Sequence, residues 1–127
     1  MVIELFAIAL GGALGALARY GAGILVERTV GAGFPFGTLS VNIIGSLLIG
    51  FAFVWLIEKD AAHSALRGLV IVGFLGAFTT FSTYSLQTYQ LLVDGRVLSA
   101  MSYAIGSVIL CLAATGVGVW LSRSILA

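Results

Sequence analysis

Within seven consecutive residues, Thr79-Thr80-Phe81-Ser82-Thr83-Tyr84-Ser85, the chain gathers five Ser/Thr hydroxyls around two aromatic rings. Hydroxyls donate hydrogen bonds, and ring edges carry positive quadrupole density. Together they suit the binding of a small, hydrogen-bonding anion rather than bond-making chemistry. Three further features fit that guest. Arg19 is the one cation inside an apolar segment, Asn42 and Ser46 lie one helical turn apart, and Tyr103, Ser107, Cys111 and Thr115 recur at intervals of four, which lines them along one helix face. Catalytic sets are missing: there is no Ser/His/Asp arrangement, no phosphate loop and no HExxH, and the only histidine, His63, sits among charged residues. Cys111 is the sole cysteine, so neither an intrachain disulfide nor a Cys-based metal site can form. An enzyme is not expected.

The elements that position these residues follow from how little charge there is. The chain has 127 residues, 61% hydrophobic and 9% charged, where soluble domains carry about 25% charge. It therefore belongs in a membrane, as a single domain over 1–127. A net charge of +1 gives no reason to expect nucleic acid. The gaps between charged clusters define four spans, about 4–27, 36–57, 68–93 and 97–122, each able to cross about 30 Å of hydrocarbon as a helix of about 20 residues. Long apolar runs without period-2 alternation argue against strands. Pro35 and its neighbouring glycines start the second helix near Phe36. Residues 58–67 form a wet loop, and Asp94-Gly95-Arg96 is a tight turn. Glu4, with no Lys or Arg ahead of Arg19, is the wrong beginning for a cleaved signal peptide, so the first span stays.

Orientation is left almost undecided. Lys59, Arg67 and Arg123 fall on one side of the membrane, Arg28 and Arg96 on the other. Lys and Arg in cytoplasmic loops set topology, and a difference of one is a weak instruction. Either a partner or that single charge decides, or both orientations are made, in which case an antiparallel homodimer is natural. Four helices also enclose little of a pathway alone.

Inside the spans, Gly11, Gly15 and Arg19 share one face, with Gly12 and Ala16 beside it. Small residues of this kind chiefly serve tight helix packing. Arg19 lies roughly 10 Å from the span end, which leaves two readings: snorkelling, or an aqueous vestibule whose fixed charge concentrates anions. Asn42 serves as interhelical glue or as a donor to a guest. The stripe on the fourth span either packs or lines a path. In the third span, glycines followed by two β-branched threonines mark a place for the helix to break near mid-membrane. Unwound backbone at that depth is tolerated where it lines a cavity or binds an ion. Phe78, Phe81 and Tyr84, three apart, bring their rings together if the segment stays helical. No carboxylate lies inside spans two to four, which argues against a proton-coupled cation exporter of the small multidrug-resistance type. A merely structural membrane subunit would account for the glycines but not for the hydroxyl cluster.

Three motifs carry a resemblance: Gly-Gly-x-x-Gly-x-x-x-Arg at Gly11 to Arg19, Gly-Thr-x-x-x-Asn at Gly37 to Asn42, and Gly-x-x-Thr-Thr-Phe-Ser-Thr at Gly76 to Thr83. With the four-span layout, the chain resembles the Fluc (CrcB) family of fluoride channels over essentially its whole length. The resemblance implies a passive, multi-pass channel of the inner (plasma) membrane that sheds fluoride trapped after HF enters a cell and dissociates. It further implies a dual-topology antiparallel homodimer with two pores. A structural sodium ion would sit at its centre, held by backbone carbonyls of Gly76 and Thr79. Carried onto this chain, Asn42 gives its amide to fluoride, Phe81 and Tyr84 give ring edges, Ser107 continues a polar track, and Thr38 and Arg19 belong to a vestibule. The hydroxyls of Thr80 and Ser82 and the thiol of Cys111 complete the candidate path. Tyr84 stands where a second Phe is typical, Cys111 where a hydroxyl is common, and Gln87 where Glu is common.

Overall fold

Apolar runs this long must satisfy their backbone internally, and they do so as helices throughout. A computed structural model describes all residues, 1–127. Helix α1 covers Val2–Val30, and α2 covers Phe36–Glu58, whose last turns, Phe53–Glu58, are π-wound. Helix α3 covers 64–78, with Gly68–Leu75 again π-wound; α4 is Phe81–Val93 and α5 is Val97–Ile125. Four helical segments are long and apolar enough to cross a membrane: Val2–Val30, Phe36–Glu58, Ser64–Val93 and Val97–Ile125. The two 29-residue segments rise roughly 43 Å, beyond the hydrocarbon thickness, so they tilt or project.

The connections follow from local chemistry. Gly31 at φ 89° ends α1, and Gly95 at φ 75° makes the turn between α4 and α5, both in the left-handed region that favours glycine. The expected wet loop 58–67 is shorter than its charges suggested. Ser64–Arg67 already form a helical turn, started by His63, whose ring nitrogen accepts from the Leu66 amide at 3.3 Å. Two ion pairs tie this end: Arg67 to Asp60, and Arg123 to both carboxylate oxygens of Glu58 at 2.5 and 3.2 Å.

Glycine seams hold the helices together. A Cβ on Gly11 would sit 2.1 Å from the Leu69 carbonyl oxygen, and one on Gly15 2.2 Å from that of Phe74. Helices α1 and α3 therefore touch backbone to backbone. Gly50 and Gly118 do the same for α2 and α5, against the carbonyls of Thr115 and Leu47 at 2.2 and 2.1 Å. Around Leu56 and Leu75 one small apolar core forms, and a second around Leu91, Ala100 and Tyr103. Only 20 of 127 residues are buried, so most apolar side chains face outward and need an apolar medium.

Candidate functional site

Between α3 and α4 the third span is interrupted. Thr79 (φ −87°, ψ 158°) and Thr80 (φ −151°, ψ 122°) are extended, a conformation that β-branched residues accept readily. Thr80 then starts α4 as its N-cap: its Oγ1 accepts from the Thr83 amide at 3.2 Å, in the manner of capping threonines. Gly45 leaves room for the turn, since a Cβ there would lie 2.2 Å from Thr79 Cγ2.

The polar backbone exposed by the interruption is met by long side chains from other helices. Asn42 of α2 clamps one residue twice: its Nδ2 donates to the Thr80 carbonyl at 3.0 Å and its Oδ1 accepts from the Thr80 amide at 2.8 Å. Arg19 of α1 donates from Nε to the Ala77 carbonyl at 2.9 Å. In an unbroken helix the amides of Thr80 and Thr83 would bond to the carbonyls of Gly76 and Thr79. Here both amides are diverted, to Asn42 and to the Thr80 hydroxyl. The interruption leaves the carbonyls of residues 76–79 without helical donors; that of Ala77 accepts from Arg19 instead, while those of Gly76, Phe78 and Thr79 gain no side-chain donor.

Two cavities flank the interruption. The inner one, of about 330 Å³, is bordered by Asn42, Ser46, Thr79, Thr80, Phe81, Tyr84, Ser107 and Cys111, and no charged side chain lines it. The outer one, of about 230 Å³, is bordered by Arg19, Glu27, Thr38, Thr80 and Gln87. Thr80 is common to both. The structure therefore brings Asn42, Thr80, Phe81, Tyr84, Ser107 and Cys111 together, and groups Arg19 with Thr38. Ser82 borders neither cavity; it is exposed, with its hydroxyl 3.4 Å from that of Thr80.

Individual side chains depart from simple expectation. Phe81 and Tyr84 keep their rings 5.3 Å apart, but Phe78 turns away to stack on Phe74 at 5.8 Å, because the extended threonines end the helical row. The Tyr84 hydroxyl is not offered to a guest: it donates to the Ala104 carbonyl at 2.8 Å. The four-residue stripe on α5 is divided. Tyr103 is 1% exposed and donates to Gln87 Oε1 at 2.8 Å, the Thr115 backbone packs on Gly50, and only Ser107 and Cys111 border the inner cavity. The Ser107 hydroxyl is buried and has no hydrogen-bond partner. Asn42 still has one amide hydrogen to give, since Nδ2 carries two and Thr80 takes one. The contribution of Gly45 and the grip of Arg19 on Ala77 went unread in the sequence. A glycine one turn after Asn42 was the available signal for the first; the second joins residues 58 apart and had none.

Residues 6–119 match the model of the CrcB-like protein family, also described as Camphor Resistance (CrcB). The chain belongs to the CrcB-like family. All the cavity-lining residues named above lie within the matched segment. The chain is similar to a protein of Hahella chejuensis named fluoride-specific ion channel FluC, 50% identical over 125 residues covering 98% of each chain. A FluC of Aquifex aeolicus is 42% identical over 120 residues, 94% of this chain and 97% of that one. A longer FluC of Methylococcus capsulatus is 50% identical over 123 residues, which is 97% of this chain and 54% of the relative. For a CrcB-like chain, the two cavities meeting at the interrupted helix are the natural place to look for an ion's route.

Proposed function

We propose that this chain is a fluoride-specific ion channel, a passive multi-pass protein of the inner membrane, and that fluoride passes from the outer cavity beside Arg19 to the inner cavity past Thr80. The observation that carries this reading is the inner cavity. Its lining includes an amide, hydroxyl-bearing residues, a thiol and two aromatic rings, with no charged side chain. Such walls replace water around a small anion without holding it so tightly that it cannot leave. The guanidinium of Arg19 draws anions to the mouth, and the family relationship names the ion.

Two finer features belong to the same proposal. Gly76 and Thr79 supply carbonyls stripped of their helical donors, oxygen ligands of the kind a hard cation such as sodium takes. A bound sodium would supply a fixed positive charge beside the path. Phe81 borders the inner cavity and yet is 77% exposed. This open wall, together with the nearly even division of cations between the two sides, supports an antiparallel homodimer in which a second copy closes each of two routes. A proton-coupled exporter gains no support, because its exchange needs a membrane-embedded acid and none borders the inner cavity.

Purified protein in liposomes tests the reading. Fluoride should leave electrogenically, read by a fluoride electrode with a potassium ionophore present, and chloride should be far slower. Equal rates for the two halides would overturn it.

A further inference from the structure

The outer cavity holds one charge that a path for anions does not call for. Arg19, Gly23 and Glu27 of α1 all border it, and four-residue steps place Glu27 about 12 Å beyond Arg19 along the helix axis. Gly23 fixes this side of α1 against α2: a Cβ on Gly37 would lie 3.1 Å from the Gly23 carbonyl oxygen, which brings Thr38 and Glu27 to the same chamber. Thr80, shared with the inner cavity, marks the deep end. Glu27 is exposed and belongs to the last turn of α1, so it stands at the rim. Helix stability does not account for it, because a carboxylate at a helix C-terminus opposes the macrodipole. Nor does ion pairing: the two ion pairs, Arg67 with Asp60 and Arg123 with Glu58, lie at the other end of the bundle. The adjacent Arg28 does not border the cavity, and Arg19 is tied through Nε to the Ala77 carbonyl, which keeps its charge deep. An anion that approaches this chamber meets the negative group before the positive one.

We propose that Glu27 is a rate-setting charge at the mouth of the ion route: its carboxylate lowers the local concentration of fluoride at the rim and holds entry below the rate that Arg19 alone would give. The inference rests on the proposed function, since it needs an anion that uses this cavity. A unit charge about 12 Å from an anion changes its local concentration about twofold at the dielectric of water, and about tenfold at the lower effective value near a protein surface. Such an effect acts without contact and is screened by salt, whose Debye length falls from about 30 Å at 0.01 M to about 3 Å at 1 M. A carboxylate that served only the fold would show no such dependence.

Fluoride efflux from liposomes is measured for the unchanged protein, Glu27→Gln, Glu27→Lys and Glu27→Asp, with fluoride below saturation and ionic strength set by potassium isethionate on both sides. At about 0.01 M, Glu27→Gln should be about twofold to tenfold faster than the unchanged protein. Glu27→Lys should be faster still, and Glu27→Asp, which keeps the charge, should stay within about 1.5-fold. At about 1 M all four rates should converge to within about 1.5-fold. Glu27→Gln should unfold no earlier in detergent. The proposal is overturned if Glu27→Gln matches or falls below the unchanged protein at low salt, if its advantage survives at 1 M, or if it unfolds earlier, which would give the carboxylate to the fold. Absence of efflux from the unchanged protein would defeat the channel reading and this inference with it, whereas efflux that ignores the charge at position 27 would defeat the inference alone.

Discussion

The third membrane segment contains two opposite solutions to contact between helices. Along α3, glycines of α1 press backbone on backbone, with no side chain between them at Gly11 and Gly15. Two residues beyond its end, at Thr80, the backbone is instead held at arm's length by Asn42, while Arg19 reaches across to Ala77. The seam leaves no space; the clamp leaves a cavity on either side. Packing of small residues fixes where the helices are, and the polar clamp fixes an opening that packing alone would collapse. A membrane interior makes the distinction sharp, because an unpaired backbone group has no water to fall back on.

Substitutions that strike only one of the two arrangements sharpen the contrast. The largest effect is expected at the clamp. Asn42→Ala strands the amide of Thr80, at about 1–3 kcal/mol, and takes from its carbonyl the side-chain donor that supplements the helical one, so thermal unfolding in detergent should come earlier and fluoride efflux should be lost. Unchanged stability would mean that the interruption holds itself. At the seam between α2 and α5, Gly118→Val drives a side chain into the Leu47 carbonyl and should destabilise by about 1–3 kcal/mol, lowering the folded yield. The matching change at Gly106, where nothing lies within 4 Å, should be tolerated. If the two behave alike, the seams are not where the bundle is held. The smallest effect is expected from Tyr84→Phe, which removes one hydrogen bond to Ala104, about 0.5–1.5 kcal/mol, and keeps the ring. Fluoride efflux should stay within a few-fold, and a large loss would show that the hydroxyl serves the ion after all.

Much of this arrangement was legible in the chain because it depends on local pattern. Charge spacing located the four spans, since burying a charge in lipid is costly enough to force almost every charge to an end. Pro35 and Gly95 marked turns because each restricts or frees one φ angle. The candidate path was legible as residue types: Asn42, Thr80, Phe81, Tyr84, Ser107 and Cys111 do converge on one cavity. Pairings were not legible. Whether Tyr84 offers its hydroxyl to a guest depends on Ala104 lying within 2.8 Å, a distance fixed by how α4 leans on α5. Phe78 left the aromatic row for a similar reason, since two extended residues change the direction in which every later side chain points. The π-wound turns at Phe53–Glu58 and Gly68–Leu75 have no residue signature at all, since they change hydrogen-bond register rather than composition.

Thr80 borders both cavities, and this bears on time as well as on place. An extended residue advances the chain by about 3.3 Å, and this single residue touches both chambers. An ion that uses this route leaves one chamber's donors nearly as it meets the next chamber's. The interval in which it belongs to neither is correspondingly brief. Turnover is then governed less by distance than by how long the ion lingers on each side of a single peptide, which Asn42 keeps from swinging.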